Sequence, residues 1–177
     1  MTNYRRYRQK GGCYFFTVAL AERRGRLLTE NIQGLRTAFR EVKDAHPFTM
    51  EAVVILPDHL HCIWTLPEGD DDFSTRWRQI KAAFSRQLPK TERRSKSRLN
   101  KGERGIWQRR FWEHAIRDEL DYQRHVDYIH YNPVKHGYVT RVADWRYSSF
   151  HRFVRLGVYP SDWGGLGLRD MNLVGVE

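Results

Sequence analysis

The chain has 177 residues, 40% hydrophobic and 14% aromatic, which is long and apolar enough to bury one core and excludes a disordered protein. No run approaches the roughly 18 apolar residues of a membrane span, so a membrane role is excluded from the reading. The 31 Lys and Arg against 21 Asp and Glu leave a net charge of +10, which favours a polyanionic partner, above all nucleic acid.

Two cysteines, Cys13 and Cys62, form no Cys-x-x-Cys pair. Zinc-finger and disulfide frameworks are therefore out, and a reducing, cytoplasmic setting is expected. Arg5, Arg6, Arg8 and Lys10 precede a short apolar stretch, and Ala19-Leu20-Ala21 mimics a secretory cleavage site. The stretch is too short for a signal and carries Thr17, so it reads as a strand.

Residues 13–20 are aromatic and β-branched and follow Gly11-Gly12, which predicts a first strand. Thr29 or Asn31 can cap a helix with Ile32, Leu35, Phe39 and Val42 at helical spacing, and Pro47 stops it. Residues 48–56 and 59–66 read as an antiparallel pair of strands turning at Pro57-Asp58. After an acidic loop, Ser74 is the expected cap of a helix that buries Trp77, Ile80, Phe84 and Leu88 and ends at Pro89.

Residues 89–104 show no apolar period and hold seven basic residues against two acidic ones, which predicts a mobile basic loop or linker. Residues 105–116 read as a fourth strand, with Trp107, Phe111 and Trp112 in the core. Asp118 or Glu119 opens a helix expected to end near Asn132, because Pro133 follows. A short helix over 148–156 and an irregular, glycine-rich tail over 157–177 complete the chain.

The order β-α-β-β-α-β, then α, predicts a single α+β domain over 1–177. It would be a ferredoxin-like antiparallel sheet with helices packed on one face and a C-terminal helix beyond. RNA-recognition modules share that order, so the fold alone does not give the function.

Two constellations carry chemistry. In His59-Leu60-His61 the two imidazoles lie one pleat apart on a strand and point to the same face, where they can share a divalent cation. Alone, the pair reads more readily as two unrelated surface histidines on a strand. On the helix over 118–132, Asn132 is four residues after Tyr128, so the two side chains are neighbours, with His125 and Asp121 on the same flank. Alone, this too is an ordinary amphipathic tyrosine.

Together the motifs are specific. Leu56-Pro57-Asp58-His59-Leu60-His61, the run from Trp107 to His114, the run from Asp127 to Gly137, and Asp144-Trp145 followed by Ser148-Ser149-Phe150 occur in this order. Tyr4-Arg5-Arg6-Tyr7 with Gly11-Gly12 fits the same pattern. From about residue 4 to residue 163 the chain resembles the REP-associated tyrosine transposases, a branch of the single-tyrosine HUH transposases.

That resemblance implies a nuclease that cuts and rejoins single-stranded DNA beside palindromic repeats that fold into hairpins. It implies Tyr128 as nucleophile, forming a 5′-phosphotyrosine, and His59, His61 and Asn132 as ligands of a divalent metal, Mg²⁺ or Mn²⁺. Asp58 and Glu113 are carboxylates able to orient a metal-bound histidine, and His114 reads as a buried, hydrogen-bonded ring. No Gly-x-x-x-x-Gly-Lys-Ser/Thr loop is present, so no nucleotide cofactor is expected.

DNA binding is expected from Arg5, Arg6 and Arg8, interleaved with Tyr4 and Tyr7, and from Arg93, Arg94, Lys96, Arg98 and Lys101 on the basic loop. A monomer is expected. Two rival readings remain at this point: an HUH replication or conjugation initiator, and a non-catalytic single-strand DNA or RNA binder on the same fold.

Overall fold

A computed structural model describes residues 7–164; Arg5, Arg6 and residues 165–177 lie outside it. Four strands, β1 (Cys13–Ala19), β2 (Thr49–Ile55), β3 (His59–Thr65) and β4 (Trp112–Ala115), form an antiparallel sheet in the order β2-β3-β1-β4. The helices are α1 (Leu27–Glu30), α2 (Ile32–Ala45), α3 (Phe73–Arg86), α4 (Lys96–Asn100), α5 (Glu119–Lys135) and α6 (Phe150–Arg155). The antiparallel α+β sheet is the expected one, but its helices cover both faces and not one, α2 and α3 on one side and α5 on the other. The stretch that mimics a signal segment is the central strand β1.

Strand parity divides the sheet into two faces. Tyr14, Phe16 and Val18 of β1 and Leu60, Cys62 and Trp64 of β3 pack with α2 and α3. There Trp64 stacks between Phe48 at 4.2 Å and Trp77 at 4.4 Å, and such aromatic pairs contribute about 0.5–1.5 kcal/mol each beyond the area they bury. On the opposite face Phe15, Val54 and Ile63 meet Val126, Tyr128 and Ile129 of α5. The helix carrying Tyr128 therefore covers the face toward which His59 and His61 point.

Several sequence expectations are corrected. The fourth strand is four residues long and begins at Trp112; upstream of it only Trp107 bridges the sheet, to Leu20. Trp107 is buried, but Trp112 is 37% exposed, on the strand that forms the edge of the sheet. Asp72, not Ser74, caps α3 by accepting a hydrogen bond from the Thr75 amide.

Helix α5 does not stop at Asn132 but runs through Pro133 to Lys135. The proline sits in the last turn, where a missing N–H costs a single intrahelical bond. The turn is closed beyond it by amide bonds from Tyr138 to the Pro133 carbonyl and from Gly137 to the Val134 carbonyl, with Gly137 at φ 71°. That is the left-handed cap that glycine adopts without strain.

The expected basic loop contains helix α4, capped by Ser95. Arg104 ties the segment down. Its guanidinium pairs with Glu92 and donates to the carbonyls of Ser85, Leu88 and Pro89 at the end of α3. Among the described residues no helix is long and apolar enough to cross a membrane.

Candidate active site

His59 and His61 lie on β3 with ring centroids 5.0 Å apart, and both are buried. Each ring is tethered through Nδ1. The His59 Nδ1–H donates to Asp58 Oδ1 at 2.7 Å, and His61 Nδ1 lies 2.8 Å from the Thr17 hydroxyl on the neighbouring strand. Asp58 is in turn held by the Arg23 guanidinium at 2.7 Å. A ring whose Nδ1–H is engaged presents an Nε2 lone pair, and a carboxylate behind such a ring raises its basicity as a ligand.

The electrostatics keep both rings neutral. Burial pushes the His59 imidazole below its ordinary value, against the pull of Asp58. Burial pushes His61 well below, and the neighbouring His59, His136, Lys135 and Arg23 charges add to that. The Asp58 carboxyl is raised by burial, but the hydrogen bonds from Arg23 and His59 outweigh this and hold it below its usual value.

Helix α5 starts at Asp118, whose side chain caps the Asp121 amide at 2.8 Å. It delivers Tyr128 over β3, where the phenol ring stands nearly perpendicular to His61 with centroids 5.2 Å apart. Lys135, two turns on, brings its ammonium to 5.0 Å from the Tyr128 ring centre. Asn132 is fully buried, and among the described residues neither its Oδ1 nor its Nδ2 has a hydrogen-bond partner; His61 Nε2 has none there either.

Leaving a buried amide unsatisfied costs about 1–3 kcal/mol. An unpartnered amide oxygen and an unpartnered imidazole lone pair are what a mixed oxygen–nitrogen site for a divalent cation provides. The residues present therefore fit a metal at His59, His61 and Asn132.

Glu113 is not part of this site. It pairs with Phe16 across the ladder and so points to the α2–α3 face, away from the histidines. His114 is half-buried and bonds Asp121 Oδ2 at 2.8 Å. His114, Asp121 and His125 place donor atoms within 4.8 Å of one another. The Arg117 amide and guanidinium also reach the Asp121 carboxylate, at 3.0 and 3.3 Å. With those positive partners in place, the cluster is a clamp holding β4 against α5.

The histidine pair and the tyrosine helix meet where Tyr128 packs on His61. Residues 9–132 match the family described as "Transposase IS200 like". A REP-associated tyrosine transposase of Escherichia coli (strain K12) is 55% identical over 165 residues, covering 93% of this chain and 92% of that protein. The chain belongs to the REP-associated tyrosine transposases, within the IS200-like family. A putative member from Haemophilus influenzae is 53% identical over 166 residues, covering 93% of this chain and 94% of that one. A solved REP-associated tyrosine transposase bound to a REP hairpin superposes with a TM-score of 0.80 at 55% identity, covering 94% of this chain and 93% of that one. The protein is thus a transposase, an enzyme of DNA cleavage and joining.

The transposase brings some of the expected DNA-binding residues together and separates others. Arg93, Arg94, Lys96 and Arg98 line one cavity of about 1060 Å³ against residues 20–22 and the end of α3. Within it, Arg98 spends its guanidinium on the Trp107 carbonyl at 3.1 and 3.2 Å. Lys101 is exposed and outside that cavity. Arg8 sits over Phe73 at the start of α3, bonded to Asp71 and Ser74, and so lies on the face away from the histidines.

Sequence reasoning passed over Thr17, Arg23, Lys135 and His136, whose ring stands 5.1 Å from His59. Lys135 carried a signal, being seven residues after Tyr128 and hence on the same side of the helix. Thr17 and Arg23 carried none without the strand register.

Proposed function

We propose that this transposase is a metal-dependent single-strand DNA endonuclease and strand transferase acting beside palindromic repeats that fold into hairpins. The observation that carries the reading is Tyr128 set against His61, one turn from the buried, unpartnered Asn132 amide. His59, His61 and Asn132 hold Mg²⁺ or Mn²⁺. The bound cation supplies positive charge to the oxygens of the scissile phosphate.

Tyr128 attacks phosphorus with its phenolic oxygen. The Tyr–O–P bond forms as the bond from phosphorus to the 3′ oxygen breaks; the phenol gives up its proton and the departing 3′ oxygen takes one up. The product is a 5′-phosphotyrosine with a free 3′-hydroxyl. The exchange of one phosphodiester for another retains the bond energy, so an incoming 3′-hydroxyl reverses it without ATP. Lys135 adds a positive charge beside the phenol. Action on DNA fits a cytoplasmic enzyme associated with the nucleoid, and the related transposase bound to a REP hairpin supports a hairpin partner.

The test is adduct formation. Wild-type protein with oligonucleotides carrying the repeats beside its own gene is expected to give an SDS-resistant adduct. Tyr128→Phe is expected to lose the adduct and keep hairpin binding, because the ring still packs. A normal adduct yield from the variant removes Tyr128 as the nucleophile.

A further inference from the structure

Thr17 faces two neighbours across the sheet. On one side it pairs with His61, whose ring it tethers; on the other it pairs with Trp112 of β4. Strands lie about 4.8 Å apart, so the indole is anchored roughly 10 Å, two strand spacings, from the His61 backbone and on the same face. Beside it opens a cavity of about 340 Å³ lined by Thr17, Ala19, Gln108, Arg110, Phe111 and Trp112. The Tyr128 chemistry makes no use of it.

We propose that this cavity is a nucleobase pocket, which takes one unpaired base of the single strand next to the scissile phosphate and stacks it on Trp112. The proposal rests on the reading of this face as a single-strand DNA site and assigns residues to base recognition within it.

Three features carry it. First, Trp112 is exposed yet held in a fixed orientation. Its ring lies parallel to His114 at 6.0 Å with only 7° between planes, His114 stacks on His125 at 4.7 Å, and the edge of Phe15 meets Trp112 at 5.7 Å. An exposed aromatic with a preset plane loses little freedom when a base stacks on it.

Second, the polar groups suit a nucleotide. Arg110 is exposed and has no hydrogen bond or ion pair among the described residues, which leaves a positive charge for a backbone phosphate. Gln108 offers an amide with both donor and acceptor, suited to a base edge. Its backbone is fixed by bonds from its N–H to the Ala19 carbonyl and from Lys81 to its own carbonyl, each 2.9 Å.

Third, the size fits. The volume falls at the lower end of the roughly 300–1,000 Å³ typical of small-ligand sites, which suits one nucleotide and not a duplex.

The test uses hairpin oligonucleotides from the repeats beside the gene, with 2-aminopurine moved one position at a time through the single-stranded flank. Each is titrated with full-length Tyr128→Phe protein and with Tyr128→Phe/Trp112→Ala, so the readout does not depend on covalent chemistry. One position is expected to be strongly quenched, with the quenching lost on Trp112→Ala and kept in part by Trp112→Phe. An abasic nucleotide there is expected to weaken binding roughly tenfold with Trp112 present and little without it, the size of one base–aromatic stack.

Gln108→Ala is expected to reduce discrimination among bases at that position alone. If no position shows Trp112-dependent quenching, or the abasic penalty is equal in both proteins, the pocket proposal is overturned while wild-type adduct formation stands. If the hairpin does not bind at all, the pocket and the DNA reading both fall.

Discussion

The Thr17 hydroxyl and Nδ1 of His61 lie 2.8 Å apart across the β1–β3 ladder, so the side chain that orients one imidazole belongs to a different strand from the imidazole itself. This contact fixes which His61 nitrogen faces the site. Thr17→Val keeps the β-branched shape but removes the tether. Losing such an outer partner weakens metal affinity by about 10- to 100-fold in other metal sites. The expected outcome is a Mn²⁺ titration of cleavage displaced to higher concentration by a factor in that range, with the rate recovered at saturation. An unchanged titration would mean that Thr17 does not orient the ligand.

His59→Ala and His61→Ala are each expected to abolish cleavage at any Mn²⁺ concentration, since each removes a proposed ligand and not merely its orientation. EDTA is expected to silence the wild-type protein, with Mg²⁺ or Mn²⁺ restoring it. Full cleavage by the wild type in EDTA would reduce the histidine pair to a structural feature of β3.

The clamp between β4 and α5 gives a pH dependence of stability. Burial pushes the Asp121 carboxyl up, but the hydrogen bonds from His114 and from the Arg117 amide and guanidinium outweigh it and bring its pKa down from 3.8 to about 2. A carboxyl with a depressed folded pKa contributes stability above its unfolded pKa and loses it as pH falls through the folded value. The contribution is therefore complete above about pH 4 and fades toward pH 2, and at about 1.4 kcal/mol per pKa unit it amounts to on the order of 2 kcal/mol. Thermal unfolding of wild type and Asp121→Asn is expected to differ clearly at pH 6 and to converge as the pH approaches 2. A gap that stays constant with pH would assign the loss to packing.

The features legible in the sequence are those with a local period. The two-residue repeat of β3 put His59 and His61 on one face and Leu60 and Cys62 on the other, and the helical spacing of α5 put Tyr128 beside Asn132. Features that depend on which strand neighbours which were not legible. Glu113 looked able to orient a histidine until its pairing with Phe16 set it on the opposite face. Trp112 looked like core until β4 proved to be a short edge strand. Pro133 looked like a helix stop because the closing turn at Gly137 is a matter of backbone geometry four residues further on. Arg104 was one charge among seven in a polar run, and its role follows from the carbonyls that the end of α3 and the turn after it bring together around its guanidinium.

That role changes the expected behaviour of residues 89–104. Arg93, Arg94 and Lys96 are exposed around the large cavity, whereas Arg98 and Arg104 are committed to backbone carbonyls. Replacing Arg93, Arg94 and Lys96 by serine is expected to weaken hairpin binding and to flatten its salt dependence. Each lost phosphate contact removes about 0.7–0.9 from the slope of log K against log salt. Discrimination between flanking sequences is expected to survive, because phosphate contacts position the protein without reading bases, and thermal stability is expected to stay within about 0.5 kcal/mol, as for other exposed substitutions. Arg104→Ala is expected to do the reverse. It removes the ion pair with Glu92 and the bonds to the Ser85, Leu88 and Pro89 carbonyls, and should lower the unfolding temperature while leaving the salt slope of the folded protein almost unchanged. If the triple serine variant keeps both affinity and slope, the segment is a structural cover and DNA takes another path; if it loses sequence discrimination, the segment reads bases.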